Sequence, residues 1–293
     1  MQKILIGTDP EYFLRQKNAA DVIISAHDKI PGTKATPYKV PFGAVQVDGT
    51  AVEFNIDPAS TQKEFIHNVK KVRAWLDHEI QEKFPDLESA IQPVAVFSPG
   101  YLQSLPEHAK ELGCDPDFNA YTAQENPAPQ DTSFMRTGSG HIHHGWTNGQ
   151  QTADPIHFST CCAITKAFDG YLYPLSLYWD GDQRRQELYG KPGAFRPKHY
   201  GSEYRVLSNA WLRDDYLIRT VFRISKSLLT AALSRQMFFH DCVHLGEHFH
   251  NIGGRPIAEQ KAAFEAELRT MPRRWRSLAE NIISQVDKRG LAA

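Results

Sequence analysis

The chain has 293 residues, 41% of them hydrophobic, so a sizeable core is feasible in one large domain or two modest ones. With 33 basic against 34 acidic residues the formal net charge is -1, which excludes a global field drawing the protein to nucleic acid or anionic lipid. The longest apolar runs are far shorter than a bilayer span, and the start MQKILIGTDPEYF lacks a basic leader, so a cytoplasmic protein with no membrane partner is expected.

KILIG followed by TDPEYFL predicts a strand over Lys3 to Leu14 with a break near Pro10. From Gly43, AVQVDGTAVEFNI predicts a hairpin turning at Asp48-Gly49, with Glu53 and Asn55 sharing one strand face. The segment from Ser60 to Phe84 has a Ser or Thr cap, an early Glu and apolar residues at Phe65, Ile66, Val69, Val72, Leu76 and Ile80, the spacing of a helix. Residues 124–131 read as a loop rich in Pro, Gln and Asn, and the run after Asp154 reads as a buried helix. Trp211 to Met237 and Pro256 to Val286 are amphipathic and helical, with MPRRWR as a solvated face. No internal repeat or linker is visible, so one α+β domain over residues 1–293 is expected, helical from about 211 onward.

Four cysteines, Cys114, Cys161, Cys162 and Cys242, form no C-x-x-C pair and read as reduced thiols. Histidine is in excess at 13 residues. In GSGHIHHG, His141 and His143 alternate onto one strand face while His144 points with Ile142. The glycines there are read as relaxing the backbone. One imidazole can ligate a cation while its neighbour donates to a phosphate. In HDCVHLGEHFH, from His240 to His250, Asp241, His244 and His248 recur at helical spacing, and a polar helix face is preferred over a second metal site.

Asp9 and Glu11 lie two apart on the first predicted strand, roughly 6 to 7 Å between alpha carbons, a spacing that suits carboxylates serving adjacent hard cations. A surface turn is the plainer account of D-P-E taken alone. Glu53 sits in the otherwise apolar VEFNI, where a buried carboxylate needs a partner or a metal. YGKPGAFRPKHYGSEYR gathers Lys191, Arg196, Lys198 and Arg205 around a strand on which Glu203 and Arg205 share a face. An arginine beside a metal-binding carboxylate is what a transferring phosphoryl group requires, whereas a surface ion pair would be worth little. Neither a GxxxxGK[ST] loop nor a GxGxxG turn is present.

Taken in order, these strings resemble the glutamine synthetase-like superfamily, whose members carry E-P-E-F-F-L, G-S-G-M-H-x-H and R-x-E-x-R. Within it GTDPEYFL, DGTAVEFN, GCDPDFNAY, GSGHIHHG and YGKPGAFR with SEYR look like the phage-associated carboxylate-amine ligases, over roughly Lys3 to Leu212. The resemblance implies a curved antiparallel sheet forming the active site with helices on its outer face, and an ATP- and Mg2+- (or Mn2+-) dependent amide-bond-forming reaction. It implies Glu11 and Glu53 on one metal, and Asp9, His141 and Glu203 on the second. It places His143, Lys191, Arg196 and Arg205 at the nucleotide phosphates, with Glu53, Arg196 and Arg205 in catalysis. Asp48 becomes a metal ligand or proton acceptor, and Asp115, Asp117 and Asn119 line the substrate pocket.

The first acid is Asp9 instead of Glu, and G-S-G runs directly into His141. The chain is also too short for the separate N-terminal sheet domain of glutamine synthetases, so no dodecameric ring is implied and homo-oligomerisation stays open. The substrates expected are a small-molecule or peptide carboxylate and an amine. The rival readings are a guanidino or small-molecule kinase of the same fold, a zinc hydrolase using His141 and His143, and a non-catalytic binding protein.

Overall fold

The computed structural model describes residues 3–110, 117–127 and 134–293; Cys114 and Asp115 lie outside the described residues. The chain opens with β1 (Leu5–Thr8) and β2 (Glu11–Gln16), followed by β3 (Ala19–Ile24), β4 (Tyr38–Val40) and the hairpin β5 (Gly43–Asp48) and β6 (Ala51–Ile56). Pro10 cannot extend a ladder, and here it divides two sheets: β1 pairs with a histidine-bearing strand far along the chain, whereas β2 pairs with β6. The expectation of one interrupted strand is therefore corrected, since Asp9 sits in the junction and Glu11 begins a strand of the other sheet. The hairpin forms, but its two-residue turn is Gly49-Thr50, because Asp48 is already paired with Ala51. Gly49 takes φ 56°, the left-handed geometry such a turn demands.

Helix α1 (Gln62–Lys83) starts with the capping box formed by Thr61 and Glu64 and buries Phe65, Val69, Val72, Leu76 and Ile80 against β5 and β6. Each of those side chains contributes about 1.5–3 kcal/mol by leaving water. Next come β7 (Leu87–Ala90), which pairs with β2, then β8 (Val94–Val96), the short helices α2 (Pro99–Ser104) and α3 (Glu107–Lys110), β9 (Phe118–Asn119) and β10 (Gln124–Glu125). So the described part of the expected loop, residues 124–127, starts with a short pairing back onto β9. Strand β11 (Met135–Thr137) pairs with β8, and β12 (Ile142–Gly145) carries the histidines. Helix α4 (Pro155–Ser176) is capped by Asp154 and is largely buried, as its apolar sequence requires. After α5 (Arg184–Leu188) the hairpin β13 (Ala194–Lys198) and β14 (Gly201–Tyr204) completes the strands.

Beside the two-stranded β8–β11 pair, the described residues form two six-stranded sheets, and every pairing between strands is antiparallel. The first runs β1-β12-β14-β13-β9-β10, and the second β3-β2-β6-β5-β4 with β7 on β2. A short 3-10 turn, Asn209–Arg213, leads to α6 (Asp215–Leu233), α7 (Met237–Ile252), α8 (Ile257–Leu268) and α9 (Arg273–Lys288). The last two replace the single helical run expected, because Pro272 cannot donate within a helix and starts a new one. In MPRRWR, Arg273 and Arg274 face solvent while Trp275 turns inward onto Phe238. Helix α4 packs on β13, β14, α6 and α7, and α6 packs on β1 and α1. One cluster of buried side chains runs from Ile6 to Val286 and joins sheets to helices. Among the described residues no helix is long and apolar enough to cross a membrane.

Candidate active site

The two sheets meet where two non-strand segments run side by side, Asp9-Pro10 and Gly138-Ser139-Gly140. Glu11 donates its backbone N–H to the Ser139 carbonyl at 2.8 Å and accepts from the Ser139 N–H at 3.0 Å through its carboxylate, while Asn209 Nδ2 donates to the Glu11 carbonyl at 2.8 Å. The glycines serve this approach more than backbone freedom. A Cβ on Gly138 would lie 2.3 Å from Asn209 Nδ2, and one on Gly140 2.1 Å from the Ser208 carbonyl oxygen.

Beside this seam lies a cavity of about 530 Å³. Its acidic side comes from the second sheet, where Glu11 and Glu53 are direct partners across β2 and β6 and Gln46 faces Glu53 across β5 and β6. Asp48 and Asn55 line the same side. Its basic side comes from the first sheet, where Arg196 and Lys198 alternate on β13 and Arg205 follows β14. His141 and His143 line it between these sides, with Asp9 at the junction. Sequence and structure agree that Asp9, Glu11, Asp48, Glu53, His141, His143, Arg196 and Arg205 face one space.

Electrostatics sort these groups. Glu53, 8% exposed, accepts a hydrogen bond from Gln46 Nε2 at 2.7 Å, yet burial and then the charges of Asp9, Asp48 and Glu11 push its carboxyl well above the usual range. Glu11 is pushed up to about 7, by burial first and by Asp48 next, against the opposing Ser139 N–H. Burial would also raise Asp9, but the charges and hydrogen-bonding positions of His143 and His141 together outweigh it and hold the carboxyl well below its ordinary value. The three histidines diverge. Burial would lower His143, but Asp9 prevails and the imidazole is raised, whereas burial and then Arg205 bring His141 down to about 4. His144, on the opposite face against Phe168, is held at about 3 by burial.

Glu203 is 0% exposed and is the hub of the basic side. It meets Arg205 Nη1 closely, Lys198 Nζ at 2.8 Å, Arg196 Nη1 at 3.3 Å and His141 Nδ1 at 3.4 Å. Asp9, His143 and Glu203 each offer a ligand atom within 4.8 Å of the others. His141 Nδ1 is 3.5 Å from Asp9, so His141 borders the trio, while His143 supplies its nitrogen. Asp9 Oδ1 and His143 Nε2 lie 3.0 Å apart, yet neither completes an aligned hydrogen bond, and His141 Nε2 and Gln46 Oε1 are likewise buried without a partner. Asp9 Oδ1 and His143 Nε2, buried without a partner beside the Glu203 carboxylate, fit a divalent cation.

Three expected residues lie elsewhere. Lys191 is exposed and does not line the cavity; the strand period places Lys198 there instead, two residues beyond Arg196. Asp117 is buried and outside the cavity lining, accepting from Arg205 Nε at 3.1 Å and from Asn126 Nδ2 at 2.8 Å. Asn119 closes a local turn by accepting from the Tyr121 N–H at 2.8 Å. Gln46 and Tyr200, which the sequence reading did not name, also line the cavity, as does Lys198, which it grouped with the cations without giving it a role. The alternation of β5 and β13 carried the signal for Gln46 and Lys198, whereas nothing in the pattern pointed to Tyr200.

A profile of the family described as Phage phiEco32-like COOH.NH2 ligase-type 2 matches residues 119–284, more than half of the chain. The chain belongs to this family. The phiEco32-like ligase match contains His141, His143, Arg196, Lys198, Glu203 and Arg205, and it extends through the C-terminal helices, beyond the Leu212 limit of the motif resemblance. Asp9, Glu11, Asp48 and Glu53 precede it.

No curated protein matches. Among solved structures, a novel glutamine synthase homolog is 10% identical, with 96% of this chain and 71% of its own covered and a TM-score of 0.39. A bifunctional glutathione synthetase from Pasteurella multocida is 12% identical, with 99% of this chain covered and a TM-score of 0.37; this ligase spans half of its length. At such scores neither decides the fold.

Proposed function

We propose that the protein is an ATP-dependent carboxylate-amine ligase that forms an amide or peptide bond through an acyl phosphate. The carrying observation is the polarity of the cavity: acids on one sheet face guanidinium and ammonium groups on the other, across a row of histidines. On this reading a substrate carboxylate oxygen attacks the γ-phosphorus of ATP, giving an acyl phosphate and ADP. An amine then attacks the carbonyl carbon, the C–O bond to phosphate breaks, and phosphate leaves.

Arg196, Lys198 and Arg205 neutralise charge on the transferred group, and Asp117 keeps Arg205 in place. Asp48, at the end of β5, accepts the proton that the amine sheds. Asp9, His143 and Glu203, with His141 beside them, would hold one divalent ion, and Glu11 and Glu53 a second. Magnesium or manganese there supplies charge neutralisation at the phosphoryl oxygens. The two sheets together act as the glutamine synthetase-like catalytic surface, and the continuous core supports the whole chain acting as one unit.

The test is incubation of the protein with ATP, Mg2+, pooled carboxylates and hydroxylamine. Hydroxamate formed in step with ADP is the expected result. A stable phosphorylated product with no hydroxamate would establish a kinase, and stoichiometric zinc with indifference to ATP would establish a hydrolase; either overturns the proposal.

A further inference from the structure

Tyr200 lies in the turn between β13 and β14, and its carbonyl accepts the N–H groups of Trp146 at 3.0 Å and Thr147 at 3.1 Å, so the turn is tied to the end of β12. The His199 ring meets the phenol edge-on at 5.0 Å, and the phenol oxygen contacts His143 Nδ1 on its way into the cavity. His143 therefore has two distinct sides: Nδ1 meets Tyr200, and Nε2 faces Asp9 at 3.0 Å without an aligned hydrogen bond.

For Nε2 to present a lone pair to a cation, the ring proton must reside on Nδ1, where the Tyr200 oxygen receives it. The phenol hydrogen is then not used by His143. Tyr200 lines the same cavity as Arg196 and Lys198.

We propose that Tyr200 is a two-way positioning residue: it accepts from His143 Nδ1, fixing the tautomer whose Nε2 faces Asp9 and Glu203, and it donates its own O–H to a phosphate oxygen of the nucleotide. The inference rests on the ligase reading of this cavity. It adds to the cationic side chains a neutral donor whose orientation is coupled to the metal-facing histidine.

The test uses the full chain and has two arms. In the unmodified protein saturated with Mg2+, 15N NMR of the imidazole rings is expected to show His143 with its proton on Nδ1; a proton on Nε2 would overturn the proposal. In the second arm Mn2+ binding without nucleotide is followed by EPR, and ADP and adenosine binding to the Mg2+-loaded protein by calorimetry. Tyr200→Phe is expected to weaken Mn2+ by roughly tenfold, the usual size of an outer-shell loss, and to weaken ADP while leaving adenosine unchanged. Equal Mn2+ and ADP affinities in Tyr200→Phe and the unmodified chain would remove the role of Tyr200 alone. Failure of the unmodified chain to bind Mn2+ or ADP at all would remove the ligase reading itself.

Discussion

Asp169 shows how one buried carboxyl shapes the pH response of the protein. It sits in the middle of α4, 0% exposed, accepting from Tyr204 at 2.7 Å and Tyr121 at 3.0 Å, and burial pushes it up to about 7 despite both hydrogen bonds. The folded chain keeps a proton that the unfolded chain releases near pH ~4, so this group's contribution to stability falls as pH rises from about 4 to about 7. Asp169→Asn keeps partners for both hydroxyls and removes the titration. Urea denaturation at pH 5 and pH 8 is expected to show the variant more stable than the parent at pH 8, by up to about 4 kcal/mol, with the difference shrinking at pH 5. Glu53 carries the same sign inside the cavity, where three other carboxyls crowd it. Glu53→Gln is expected to raise the thermal midpoint of the metal-free protein at neutral pH while abolishing ATP turnover. A variant with unaltered turnover would take Glu53 out of the site.

At the level of elements, the seam between the sheets depends on glycines that leave no room for a side chain. Gly140→Ala would place a methyl 2.1 Å from the Ser208 carbonyl, and the resulting backbone shift is expected to cost about 1–3 kcal/mol in denaturant unfolding. Because that shift also moves Ser139 away from Glu11, metal affinity should fall with it. Sequence reading found the glycines but not this reason, since a close approach between residues 68 positions apart, Gly140 and Ser208, leaves no local periodicity. Local pattern did find α1, from its capping box to its apolar stripe, and found the β5–β6 hairpin to within one residue of its turn. It misread the start of the chain, because a proline between two apolar runs looks the same whether the strand resumes in its own sheet or crosses into another. It also named Lys191 where Lys198 lies in the cavity, because charge density in a loop says nothing about which cation the strand alternation turns inward. In the cluster from His240 to His250, Asp241, His244 and His248 are exposed on α7, a polar helix face. His250 instead stacks on Tyr121 at 3.9 Å and holds the Pro192 carbonyl.

For the molecule as a whole, the cavity is assembled from halves with different relationships to the family. Arg196, Lys198, Arg205, the histidines and Glu203 belong to the stretch that the family profile matches, whereas Glu11, Asp48 and Glu53 come from residues ahead of it. Glu203 joins the two functions. In the structure it is a fully enclosed anion already facing Arg196, Lys198 and Arg205, so the cost of bringing those cations out of water is met within the folded chain. On the proposed ligase reading, a divalent ion held by Glu203 would compete with those cations for its carboxylate and leave them available to an arriving phosphate. The two ligands are then thermodynamically linked, each raising the affinity for the other by the same factor. Calorimetric titration of ADP with and without Mg2+, matched by titration of Mn2+ with and without ADP, is expected to return equal enhancements of roughly 5- to 150-fold. If a bound phosphate takes over cations that already face an internal counter-ion, its affinity should also change little with added salt.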